Sequence, residues 1–379
     1  MVGWVGGWVV CGRYQLSIFN ALLHTFELPQ FIAPLSSLLI VIAVTVCRDF
    51  HICSIHDGRR HLGASREFRK LVTGTLAPRL GLTPDERETS MSADLKPFYT
   101  DIRAHYDLSN EFYELFLDPT MAYSSGYFER EDMTLEESQL AKIDMAMRKA
   151  DIQPGHRVLD IGFGWGYPMW HCAEHYGADV LGITLSQAQF DYVKNRFAEK
   201  PPTNGSVDIR IQGWEEYHEP VDRIFTLEVF EHFRYERHDA FFQRMFSLLS
   251  EGGRMLLQTN LIYLWQTLEK RGIELTHDDL LFCKFMNKEI FPGGQLCEPD
   301  HLIQKAETAG FKVTEAESLA EHYVPTLQFW ADNLEAKRER AIELTSEETY
   351  DNYMRYLTGC RDLFVKGVID VMQFTCCVE

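Results

Sequence analysis

The sequence predicts an α/β, Rossmann-like fold: a seven-stranded, mostly parallel sheet with helices on both faces, a helical cap ahead of it and one long insertion. Three features carry this expectation. Short β-rich runs alternate with helical stretches from Val158 onward, the pattern of a parallel sheet whose crossovers are helices. The first run leads into three closely spaced glycines, the mark of a tight strand-to-helix turn. With 379 residues and 45% hydrophobic side chains, the chain can bury a sizeable core.

Residues 1–90 differ from the rest. Phe31 to Cys47 is an uncharged apolar run followed by Arg48, Arg59, Arg60, Arg66, Arg69 and Lys70, the layout of a membrane anchor with a basic cytoplasmic flank. The run is short for a span and contains Pro34, and no packed-domain periodicity is visible around it. The alternative is a start assigned upstream of a working protein whose soluble domain, 91–379, begins at Met91. Leu95 to Phe116 places apolar residues at helical spacing around a turn at Asp107–Asn110, which predicts two short amphipathic helices in the position of a cap. The strands expected next are Val158–Gly162, Val180–Thr184, Val207–Ile211, Arg223–Leu227 and Arg254–Thr259. Residues 261–307 contain no obvious strand, are rich in Leu, Phe and Met, and include Phe291-Pro-Gly-Gly294; insertions of this length in an α/β fold tend to be functional. Phe311–Ala316 and Val368–Cys376 complete the strands, with a helical block at Leu327–Phe364 between them.

Charge and cysteine content narrow the function. The net charge of −19 is uneven: residues 1–90 hold nine Lys/Arg against seven Asp/Glu, or +2, which leaves −21 for 91–379. A surface this acidic excludes nucleic acid as a partner. None of the nine cysteines falls in a CxxC pair or at metal-like spacing with His, so no metal site and no disulfide framework is expected, which fits a reducing cytoplasm. Cys376 and Cys377 read as alternate faces of the terminal strand.

The sharpest local signal is Val158-Leu-Asp-Ile-Gly-Phe-Gly-Trp-Gly166. Gly162, Gly164 and Gly166 let the backbone turn tightly and approach a ligand, and the helix that follows offers free N–H groups. The third glycine comes two residues after the second, not three, and Asp160 lies at the strand end; both features favour a methyltransferase turn over a dinucleotide site. The next strand ends Gly182-Ile-Thr-Leu-Ser186, without the carboxylate that commonly holds ribose hydroxyls.

From about Met91 to Glu379 the chain resembles the cyclopropane fatty acid and mycolic acid synthase family. The motifs that carry this are His105-Tyr-Asp-Leu-Ser109, Tyr123-Ser124, Tyr127-Phe128, Met133-Thr-Leu-Glu-Glu137, Gly182-Ile-Thr-Leu-Ser186, Gln212-Gly-Trp-Glu215, Phe230-Glu-His-Phe233, Glu289-Ile-Phe-Pro-Gly-Gly294 and Gln373-Phe-Thr375. The resemblance implies a class I S-adenosylmethionine-dependent methyltransferase fold with a lipid-binding insertion at 261–307. It implies cofactor binding by Tyr123, Ser124, Gly162, Gly164, Thr184, Gln189, Trp214 and Glu215, with Thr184 and Gln189 at the ribose and Trp214 beside the adenine. It also implies methyl transfer to the double bond of a long-chain unsaturated acyl lipid, carried by phospholipid or by acyl carrier protein, through a carbocation. In the family a bound bicarbonate is thought to act as base. Here Glu231 and Tyr323 match its ligands, whereas Ser125 stands in the Cys position and Gln258 in the His position. Glu228 and Gln258 together replace a Gly and that His of cyclopropane synthases, a pair shared with the hydroxymycolate branch, where water captures the cation. The product is thus a cyclopropane or a methyl-branched or hydroxylated chain.

Leu261 to Phe291, with Tyr263, Trp265, Leu280, Leu281, Phe282, Phe285 and Met286, is expected to line an apolar tunnel for the acyl chain, the alternative being additional core. The expected location is cytoplasmic, with or without contact with a membrane. Two competing readings are a methyltransferase of a non-acyl small molecule such as a sterol or terpenoid, and a non-catalytic binding protein marked by Ser125 and Gln258.

Overall fold

The computed structural model describes Pro97 and residues 108–379. The apolar run at 31–47, the question of the start, and the first of the two cap helices lie outside the described residues. The described residues belong to one compact unit, Met91–Glu379.

All seven expected strands form and join a single sheet. They are β1 Arg157–Ile161, β2 Asp179–Thr184, β3 Ser206–Ile211, β4 Val221–Leu227, β5 Leu249–Ile262, β6 Lys312–Ser318 and β7 Ile369–Cys377, in spatial order β3-β2-β1-β4-β5-β7-β6. Strands β1 to β5 pair in parallel, and β7 runs antiparallel to both β5 and β6. The order reverses between β1 and β4, and it is at such a switch point, beyond the carboxyl ends of the strands, that open α/β sheets place ligands.

The helices are α1 Asn110–Tyr113, α2 Leu135–Lys149, α3 Tyr167–Tyr176, α4 Gln187–Glu199, α5 His238–Leu248, α6 Trp265–Arg271, α7 His277–Phe285, α8 Pro299–Ala309, α9 Ala320–Ala336, α10 Arg338–Leu344 and α11 Glu347–Lys366. Local chemistry sets their ends. Met133-Thr-Leu-Glu-Glu137 is a capping box: Thr134 Oγ1 accepts from the Glu137 N–H at 3.2 Å, and the Glu137 carboxylate accepts from the Thr134 N–H at 2.7 Å, which satisfies donors that the first turn would leave bare. Two apolar layers pack on the sheet, one around Leu159, Ile224 and Phe242, the other around Val158, Met169 and Leu256. A third cluster joins α1 to α9 and α11 through Phe112, Tyr113, Phe116, Trp330 and Tyr353, with Phe112 and Tyr353 edge to face at 4.9 Å. This is the cap. Residues 261–307, expected without strands, carry the end of β5 and the helices α6, α7 and α8, with a π-helical turn at Met286–Ile290.

Cys376 is buried and Cys377 is not, as the alternation of a strand requires. Strand β7 lies between β5 and β6 and pairs with β5 from Ile369 to Cys377. A chain stopped at Gly367 loses a strand from inside the sheet and strands β6, so it is expected not to fold. Soluble expression followed by circular dichroism and thermal melting checks this, and a cooperative melt near the full-length value would overturn it.

Candidate active site

Two cavities open beyond the carboxyl ends of the central strands, and Tyr123, Glu228 and His232 stand in the walls of both. The first, about 120 Å³, is lined by Tyr123, Ser124, Asp160, Gly162, Gly164, Thr184, Gln189, Trp214, Glu215 and Arg237 among others. The second is larger, about 300 Å³, and apolar on most sides.

The three glycines differ in role. All have positive φ, 77° at Gly162, 54° at Gly164 and 81° at Gly166, a region that side chains other than Gly seldom adopt. A Cβ at Gly162 would lie 2.4 Å from Val229, and one at Gly166 2.8 Å from Val193, whereas one at Gly164 meets no protein atom. Gly164 alone faces open space. Gly166, expected at the cofactor, instead caps α3 and packs against α4 without lining the cavity, because its missing Cβ makes room for Val193.

Around that turn the polar groups are held in place by one another. Thr184 Oγ1 donates to Gln189 Oε1 at 3.2 Å and accepts from the Ser186 N–H at 3.2 Å. Trp214 is buried edge to face against Phe241 at 5.3 Å. Arg237 donates to Glu215 Oε1 at 2.7 Å, while Glu215 Oε2 and Asp160 Oδ2 are buried without a protein partner. Burial pushes both carboxyls up, Asp160 far above its ordinary range. Beneath Ser124 lies Lys142, fully buried, donating to Ser124 Oγ at 2.7 Å. Burial drives its ammonium down to about 8 against the opposing pull of Glu228, Asp118 and Asp160. The sequence reading missed Lys142 because one lysine on a helix reads as a solvated side chain.

The second cavity centres on Glu228. Its φ is 57°, and its carboxylate accepts four hydrogen bonds. Oε1 receives the Ser125 N–H and Gln258 Nε2, each at 2.8 Å; Oε2 receives Tyr323 Oη at 2.8 Å and Asn260 Nδ2 at 2.9 Å. Three of the groups expected to hold a bicarbonate, Ser125, Gln258 and Tyr323, therefore converge on a carboxylate the chain itself supplies. Gln258 is fully buried, tied to Gln373 Nε2 at 2.9 Å as well as to Glu228, and does not line the cavity. Glu231 faces the cavity: its Oε1 accepts from the Asn260 N–H and, at 2.9 Å, from Asn260 Nδ2, and its Oε2 is buried with no partner. Burial, and after it the charge of Glu228, raises Glu231 to about 7.

Of the residues expected to line a tunnel, Phe282 and Met286 do so. Trp265, Leu280 and Leu281 are 60%, 55% and 46% exposed, because α6 and α7 turn those faces to solvent. Tyr263 is buried with its hydroxyl on Asp370 at 2.7 Å, and Phe285 packs under Arg355 at 4.1 Å. The far wall comes from α11, through Tyr356, Cys360, Leu363 and Phe364, and the sequence reading did not find it. No group of three or more His, Cys, Asp or Glu among the described residues could hold a metal, and no described helix is long and apolar enough to cross a membrane.

Comparison with known proteins gives the family. Residues 93–374 match the family model described as mycolic acid cyclopropane synthetase. The chain belongs to that family. It is 50% identical over 282 residues to the S-adenosylmethionine-dependent methyltransferase UmaA of Mycobacterium tuberculosis, a match that covers 74% of this chain and 98% of UmaA. It is 46% identical over 285 residues to cyclopropane mycolic acid synthase 3 of the same organism, covering 75% and 99%. Among solved structures, mycolic acid cyclopropane synthase CmaA1 complexed with SAH and CTAB superposes with a TM-score of 0.72 at 46% identity, covering 74% of this chain and 99% of that one. The protein is thus a class I S-adenosylmethionine-dependent methyltransferase, as its motifs implied.

The first cavity fits that cofactor on its own evidence. Two buried carboxylate oxygens without protein partners, on Asp160 and Glu215, call for N–H donors, which the amino groups of the cofactor's methionine and adenine moieties supply. Gly164 supplies the close backbone approach. Gly164→Ala, whose methyl would project into the empty space, is expected to weaken S-adenosylmethionine binding at least tenfold with the fold intact, measured by titration calorimetry beside circular dichroism. Gly164→Val adds a β-branched side chain at φ 54° and should lower the melting temperature as well.

Proposed function

We propose that the protein methylates a carbon–carbon double bond of a long acyl chain and that water captures the resulting cation, giving a methyl branch beside a hydroxyl. The observation that carries this reading is the Glu228 carboxylate, seated among four donors where a separate anion would otherwise bind. The names of the relatives and the CTAB bound to CmaA1 support a lipid substrate, and the apolar cavity beside the cofactor site supports it independently. They favour an acyl chain over a sterol or terpenoid.

S-adenosylmethionine, when bound, supplies an electrophilic methyl group. This chain's residues do the rest. An alkene is a weak nucleophile, so Phe282, Leu363 and Phe364 must hold it dry and in line. One alkene carbon takes the methyl and the other becomes a cation, which the ring faces of Tyr123, Tyr323 and Tyr356 in the wall can stabilise. Glu228 has no capacity left for a proton. Glu231 Oε2 does, and water adding to the cation gives up its proton there. Loss of a proton from the new methyl group to the same oxygen would instead close a ring.

Mass spectrometry with labelled methyl donor separates the outcomes: the chain gains CH2 if a ring closes and CH3 plus OH if water adds. Glu231→Gln is expected to lower turnover on the order of a hundredfold with cofactor affinity unchanged, and near-normal turnover would sink the assignment of Glu231. Since the acceptor must be ionised and its carboxyl sits at about 7, turnover should rise with pH through neutrality and fall away below it. Gln258→His alone leaves Glu228 seated and should give little ring product. Combined with Glu228→Gly it empties the anion place, and the ring fraction should rise.

A further inference from the structure

Strand β5 presents two amide side chains, Gln258 and Asn260, two residues apart and therefore on one face. Both reach Glu228. Asn260 also reaches Glu231, and its Nδ2 lies 2.9 Å from Glu228 Oε2 and 2.9 Å from Glu231 Oε1. Two carboxylates held this close repel each other, and a donor shared between them offsets the repulsion. The four oxygens of the pair are then unequal. Both oxygens of Glu228 and Oε1 of Glu231 each accept two hydrogen bonds, while Glu231 Oε2 accepts none.

We propose that Asn260 is a positioning residue for the proton acceptor: its side-chain amide bridges Glu228 and Glu231, holds Glu231 Oε1, and so leaves Oε2 as the one oxygen of the pair that accepts no hydrogen bond. The inference rests on the function proposed above and assigns within it a role to a residue that no motif singled out. The bridge stabilises the ionised form of Glu231 against burial and the charge of Glu228, the two causes that raise it. Ionisable groups that share the cavity wall with Glu231 or neighbour it are His232 on its own turn, Cys297 on the segment before α8, Tyr323 on α9 and Tyr356 on α11, with Tyr123, Cys283 and Cys360 also in the wall. Of these, His232 is held neutral by burial, which lowers it to about 4, and Cys297, Tyr323 and Tyr356 are held protonated by burial that raises them. The buried cation Lys142 acts on Glu228. His232, Cys297, Tyr323 and Tyr356 keep their charge state through neutral pH, and Lys142, at about 8, loses its charge on the alkaline side, so the acid limb of activity reports the Glu228–Asn260–Glu231 unit.

The test uses the full chain carrying Asn260→Leu, which removes the bridge but keeps the backbone N–H, and Asn260→Asp, which keeps the shape but replaces the donor with an acceptor. An infrared titration of the carboxyl band that Glu231→Gln abolishes reads the proton affinity of Glu231 without any substrate. Loss of a hydrogen bond to a charged group should move its midpoint up by about one pH unit in Asn260→Leu and further in Asn260→Asp. The acid limb of kcat should move by the same amount while KM for S-adenosylmethionine stays put. An unchanged midpoint in a folded variant overturns the proposal; if Asn260→Leu does not fold, the isosteric Asn260→Asp decides it. Wild-type protein that makes no methylated acyl product would overturn the proposed function, and the infrared midpoint would still decide the bridge.

Discussion

The site depends on one carboxylate placed where the backbone resists it. Glu228 takes a left-handed conformation that costs a non-glycine residue about 1–2 kcal/mol, and a half-buried carboxylate needs hydrogen-bond partners in place of the water it gives up. Four hydrogen bonds from three separate segments offset this: the loop at Ser125, β5 at Gln258 and again at Asn260, and α9 at Tyr323. The fold is arranged so that these segments meet. Strand β4 ends at Leu227 beside Gln258 of the longer β5, and the Glu228 N–H donates to the Gln258 carbonyl at 2.7 Å, so the residue after β4 stays against β5.

That arrangement separates what the sequence could express from what it could not. All seven strands were legible because each is a short β-rich run bounded by turn residues, and the glycine turn was legible because only glycine tolerates its backbone. Glu228, Glu231, Gln258 and Tyr323 were legible through motif resemblance, and the structure brings all four to one place. Their pairing was not. That Ser125, Gln258, Asn260 and Tyr323 all meet Glu228 depends on side chains from separate segments, and no spacing encodes that meeting. Asn260 was missed for a related reason: an amide two residues after another reads as ordinary strand alternation until both partners are in view.

The acyl cavity shows the same limit from the other side. Hydrophobic periodicity reports that a helix face is apolar but not whether it meets core, cavity or water. Leu280 to Cys283 illustrate this within a single turn of α7: the first two are exposed and the next two line the cavity. The opposite wall comes from α11, which begins 62 residues after α7 ends, where Tyr356, Cys360 and Phe364 recur at helical spacing. On sequence alone that stripe belongs equally well to a core.

Charge gives the arrangement its chemical sense. In the proposed reaction positive charge appears on an apolar chain that cannot carry it, in a pocket from which water is largely excluded. A site built for that step needs negative charge and ring faces in place beforehand, since preorganised groups need not reorient as the charge forms. Glu228 and Glu231 supply the first, and Tyr123, Tyr323 and Tyr356 the second. Such a concentration of acid is costly to fold unless it is balanced, and Lys142, buried behind Ser124 and drawn by Glu228, Asp118 and Asp160, supplies the counter-charge from beneath. Because that ammonium bonds to a serine hydroxyl and lines neither cavity, it balances the folded protein without presenting a second positive charge to the reacting carbon.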